Sequence, residues 1–159
     1  AHYLFLAGTH RFANGTGDSV ESDTARNHVG PFQAAYDSVS QKGDLTLSIH
    51  GFTQKDQHSS EINNSDVILS AGVSQVPSVV TQLGKALQRS GLIPGIYNGG
   101  SSYRDLSGRI NPQGRYANAT YGPGQFVHVE IEQKYRLDDG MLTTLVSGLK
   151  SGLDAYFAE

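Results

Sequence analysis

The sequence predicts an α/β fold: a three-layer sandwich with a mostly parallel or mixed sheet and helices on both faces. Two observations carry this. Short apolar runs of strand length alternate along the chain with segments whose apolar residues recur every three to four positions. That alternation favours right-handed crossovers between parallel strands. The length of 159 residues supports one core and leaves too little for two, so residues 1–159 read as a single domain.

In chain order, Tyr3-Leu4-Phe5-Leu6-Ala7 is an apolar run ended by Gly8 and reads as a buried strand. Residues 9–30 are polar and rich in Gly and Asn, a long loop. Pro31 then opens a helix, in the first turn where proline is tolerated, with Phe32, Ala35, Tyr36 and Val39 on one face. Residues 45–52 alternate Leu45, Leu47 and Ile49 with Thr46, Ser48 and His50, the period of a half-buried strand. A charged, Ser-rich surface loop follows over 53–65, and a strand over 67–69. A helix over 77–90 carries Val79, Val80, Leu83 and Leu87 and stops at Gly91. Residues 92–97 return as a strand. The stretch 98–124 reads as a loop, unusually long for a compact domain and therefore a candidate functional segment. Residues 126–131 form the last strand, and Asp138 or Asp139 caps a final helix with Leu142, Leu145, Val146, Leu149 and Leu153.

Composition bounds the function. Hydrophobic residues make up 37% and charged residues 17%, ordinary for a globular chain, and the net charge of −3 gives no reason to expect nucleic acid or an anionic membrane as partner. No apolar run approaches the ~20 residues of a membrane span. The chain starts without a basic leader or signal-peptide pattern, so it reads as mature or cut. With no cysteine, disulfides, thiolate catalysis and Cys-based zinc sites are excluded. Abundant Gly and Ser, few Lys, and the sequons at Asn14, Asn63 and Asn118 lean mildly towards an exported or phage-type protein.

The chemistry concentrates in two strands. His50 sits at a strand end just before Gly51, where open α/β sheets bind ligands, and an imidazole there serves as metal ligand or proton carrier. In the last strand Val127, Val129 and Ile131 share one face, and His128, Glu130 and Glu132 the other. A carboxylate in such a strand is costly unless paired, hydrated or metal-bound. Each feature has a plain structural alternative: His50 as a turn cap, and the polar face of the last strand as the wet side of a sheet edge. If His50 and Glu130 end adjacent strands, they suit metal-assisted hydrolysis, with the carboxylate carrying the proton. Zinc needs three protein ligands, and the further candidates in the first loop are His10, Glu21 and His28, none at His-x-x-Glu spacing. There is no Gly-x-Ser-x-Gly elbow, Walker lysine or dinucleotide fingerprint. Glu130 and Glu132 on one strand face are poorly disposed to flank a sugar bond. Arg109 and Arg115, in the Tyr-rich late stretch, are candidates to hold a substrate carboxylate, or simply solubilising charges.

Ser48-Ile49-His50-Gly51-Phe52, Asn111-Pro112-Gln113-Gly114-Arg115 and Val127-His128-Val129-Glu130-Ile131 together resemble the phage-type poly-γ-glutamate hydrolases and their bacterial relatives, within the zinc carboxypeptidase-like hydrolases. The resemblance spans residues 3–136 through short motifs. It implies a zinc cofactor, His50 as a zinc ligand and Glu130 as the general acid–base, acting on a small or polymeric anionic substrate. Arg115, then Arg109 and Asn111, are the expected substrate-binding residues. The family's other two zinc ligands, a His and a Glu a few residues apart, precede the matching region and have no counterpart here. Three explanations are open: an amino-terminal segment removed or present as a separate polypeptide, which is preferred; ligands relocated to His10, Glu21 or His28; or loss of the metal. The expected function is thus zinc-dependent cleavage of an amide in a carboxylate-bearing substrate. The alternatives are a catalytically silent binding or structural domain and a carbohydrate-active or carbohydrate-binding module.

Overall fold

Four strands form one sheet: β1 (Thr46–Phe52), β2 (Val67–Ser70), β3 (Pro94–Ile96) and β4 (Phe126–Glu132), in the order β1-β4-β2-β3. Pairs β1/β4 and β2/β3 are parallel and β2/β4 is antiparallel, so the sheet is mixed. These elements come from a computed structural model that describes residues 3–8, 10–15, 22–55 and 57–159. The helices are α1 (Pro31–Val39), α2 (Ser60–Asn63), α3 (Ser78–Arg89), α4 (Pro112–Tyr121), α5 (Gln133–Leu137) and α6 (Asp139–Phe157).

Alternation along the strands sorts side chains into two layers. Val67 and Leu69 of β2, with Val127, Val129 and Ile131 of β4, face α3 and α6, where Val79, Val80, Leu83, Leu87 and Leu145 complete the main core. The opposite face is covered by α1 and α4, which are joined by a buried hydrogen bond from Gln113 Nε2 to Gln33 Oε1 (2.8 Å). Tyr36 of α1 is hydrogen-bonded to Thr46 of β1 (3.1 Å), and Gly114 brings α4 onto the ring of Phe126, where a Cβ would come within 2.6 Å of a ring carbon. A smaller apolar cluster of Phe52, Ile62 and Ile68 fills the far end of this layer. The three-layer α/β arrangement expected from the sequence is therefore present.

Helix boundaries follow local chemistry. Asp138 accepts from Met141 N–H to start α6, Asn111 accepts from Gly114 N–H to start α4, and Gly91, at φ +84°, ends α3. The differences from the sequence reading have equally local causes. Tyr3-Leu4-Phe5-Leu6-Ala7 is not a buried strand: it is not paired into the sheet, and Leu4 and Leu6 are 82% and 78% exposed. Apolar alternation specifies a strand only where a sheet edge hydrogen-bonds it, and here only Phe5 packs inward, against Phe32. The stretch 98–124 is not one long loop either. It holds a 3-10 turn (Arg104–Leu106) and α4, for which Asn111-Pro112 supplies the N-cap and first-turn proline. Within 53–65, α2 is capped by Ser59, and α5 occupies the interval before α6.

The α3–α6 contact depends on small residues. A Cβ on Gly152 would lie 2.8 Å from the Leu83 Cα, whereas one on Gly148 would meet the mobile end of Leu87 at 3.1 Å. Gly152→Ala is expected to push the helices apart and lower unfolding free energy by about 1–3 kcal/mol. Gly148→Ala should cost less, because a side-chain tip yields where backbone does not. Urea unfolding of both variants checks the order; equal losses would show that the close approach at Gly152 is not what limits the packing.

Candidate functional site

The register between β1 and β4 determines what meets. Ser48 pairs with His128 and His50 with Glu130, so both polar rows lie on the face under α1 and α4. Glu130 and His128 are buried, 8% and 5% exposed. Their side chains join along the strand, His128 Nε2 to Glu130 Oε1 at 3.0 Å. The His50 and His128 rings lie 4.4 Å apart, centroid to centroid, at 34°. Asn111, buried at the start of α4, donates from Nδ2 to Ser48 Oγ (3.3 Å), and Ser48 is 2.8 Å from His50 Nε2. The Ser48 hydroxyl has a second lone pair as well as its proton, so it donates to His50 Nε2 or accepts from it according to the imidazole tautomer.

These residues open onto a cavity of about 360 Å³ whose lining includes His50, His128, Glu130, Asn111 and the arginines Arg11, Arg26, Arg104 and Arg109. Arg11 is paired with the buried Asp23 at 2.6 Å. Among the described residues neither Arg104 nor Arg109 has a carboxylate partner. The lining thus sets four arginines against two carboxylates, the buried Glu130 and the exposed Asp105, an excess of positive charge that attracts anions.

The glycine after His50 has a steric reason. The Arg136 guanidinium lies across Gly51, where a Cβ would be 2.5 Å from its central carbon. From there it donates to the carbonyls of Phe52 (3.1 Å) and Ile131 (3.2 Å), at the ends of β1 and β4. Gly108 plays a similar part over His128: it has φ +65°, and a Cβ there would sit 2.5 Å from the imidazole.

Of the residues singled out from sequence, His50, Glu130, Arg109 and Asn111 line one cavity. Arg115 is exposed and lines a neighbouring depression with Arg26, His28 and Tyr116. His10 is exposed, its ring against Phe12 and its Nδ1 accepting from Phe12 N–H. Glu21 lies outside the described residues. His128 was visible in the sequence as a neighbour of Glu130 on the polar face. Ser48 shares the polar face of β1 with His50 and Arg104 lies in the late stretch that holds Arg109, whereas Arg11 comes from the first loop and only tertiary structure brings it to the site.

Among the described residues no three His, Asp or Glu side chains are grouped to hold a metal ion. His50 Nε2 is engaged by Ser48, and His128 Nε2 by Glu130. The described side chains thus do not make up the three-ligand zinc site implied by the resemblance. No family model, curated sequence or solved structure matches this chain.

Burial, followed by the neighbouring His128, lowers the His50 pKa from 6.5 to about 4, against the opposing pull of Glu130. The folded protein therefore favours neutral His50, while the unfolded chain takes up the proton as pH falls through 6.5. Stability from this group is present above pH 6.5 and is lost as pH falls towards 4. Urea midpoints measured across that window are expected to fall less steeply for His50→Gln than for the wild type. Parallel slopes would mean that His50 does not contribute to acid lability.

Proposed function

We propose that the protein is an amide hydrolase for a carboxylate-bearing substrate, a γ-linked glutamyl polymer or a peptide, with Glu130 as its proton carrier. One observation carries this reading: His50 and Glu130, on separate strands, are direct register partners within one arginine-walled cavity. Glu130 takes a proton from water as the water oxygen attacks the amide carbon. It returns that proton to nitrogen as the C–N bond breaks, giving a carboxylate and an amine. Arg109 and Arg104, free of carboxylate partners among the described residues, bind the substrate carboxylate. Neutral His50 adds no positive charge beside Glu130. Zinc enters this reading through the resemblance alone, and the described donors do not complete a ligand set for it.

A second reading, an anion-binding domain without turnover, is favoured by those same arginines. Turnover of poly-γ-glutamate or a glutamyl peptide by the purified protein, with zinc content measured alongside, separates the two. Glu130→Gln is expected to lower kcat by roughly 10²–10⁴-fold while leaving thermal unfolding and polymer binding unchanged. Arg109→Ala should instead raise KM. Undiminished hydrolysis in Glu130→Gln would remove Glu130 from the mechanism. Binding without hydrolysis in the wild type would leave the anion-binding reading.

A further inference from the structure

We infer that His128 is the positioning residue for Glu130: it donates from Nε2 to Oε1 and leaves Oε2 to exchange the proton. The inference rests on the amide-hydrolase reading for its catalytic consequence. Two positions apart on one strand face, the side chains are neighbours along β4, and an imidazole pointing up the strand reaches the carboxylate. An ionised carboxylate only accepts, so the proton in this 3.0 Å contact belongs to Nε2. Among the described residues nothing donates to Glu130 Oε2, whose lone pairs are uncommitted.

The imidazole is itself held. Gly108 covers it from the loop before α4 with no room for a side chain, the His50 ring lies against it at 4.4 Å, and Phe126 stacks at 6.5 Å and 25°. The register partner on β2, Ser70, uses its hydroxyl to accept from Gly72 N–H. A ring fixed by backbone on one side and aromatic rings on others is a rigid donor, and Glu130, with three rotatable bonds, gains one orientation from it.

The test compares His128→Leu and His128→Gln, each checked for an unchanged thermal midpoint, on poly-γ-glutamate and on an α-linked glutamyl peptide. His128→Leu should cut kcat by roughly 10–100-fold with KM within about threefold, the signature of misplaced catalytic geometry. The Gln amide nitrogen occupies nearly the place of imidazole Nε2, so His128→Gln should recover most of kcat. A folded Leu variant with wild-type kcat, or a folded Gln variant as slow as Leu, overturns the assignment. Independently of turnover, ¹⁵N-edited NMR of the imidazole should show a protonated, hydrogen-bonded Nε2 that changes in Glu130→Leu. Absence of that signal in the wild type overturns the inference; its presence without hydrolysis upholds the positioning and sinks the hydrolase reading alone.

Discussion

The parallel register of β1 against β4 is the constraint from which the rest of the site follows. Side chains alternate with period two, so a slip of one residue would send His50 to the α3–α6 face and leave Ile49 beside Glu130. The apolar core resists that slip. Val127, Val129 and Ile131 are locked against α3 and α6 on one side, and the same register carries His128 and Glu130 to the other. The hydrophobic effect on one face thus fixes the polar geometry of the opposite face to within a residue.

Burying two imidazoles and a carboxylate opposes folding unless each finds a partner. The structure meets this with a short relay from Asn111 through Ser48 to His50, and with the His128–Glu130 contact. What remains unsatisfied is narrow: His128 Nδ1 and Glu130 Oε2 have no partner among the described residues. Both residues line the cavity, where a bound molecule can reach them.

Much of the architecture was legible because it rests on strong periodic signals. The strands carrying His50 and Glu130, the apolar stripe of α3 and the cap of α6 were all readable from spacing and single residues. The failures share a cause. Tyr3-Leu4-Phe5-Leu6-Ala7 has a strand's composition without a strand's partner, and pairing is a tertiary property. α4 was hidden by Gly114, which reads as a turn residue but is there because the Phe126 ring occupies the space of a side chain. For the site, the two strand motifs raised the meeting of His50 and Glu130 only as a condition, since nothing in spacing says which strands are neighbours; the register supplies it. The arginine wall was only partly legible: Arg109 and its neighbour Arg104 lie in the late stretch marked as functional, whereas Arg11 and Arg26 arrive from the distant first loop.

Arg136 binds carbonyls near the ends of two neighbouring strands from above a bare stretch of backbone. A methyl at residue 51 would make the guanidinium give way, which the end of a flexible side chain can do, at the expense of its hold on Phe52 and Ile131. The arginine thus works as a clasp, tethering the short helix α5 to the rim of the sheet beside β1 through main-chain oxygens alone.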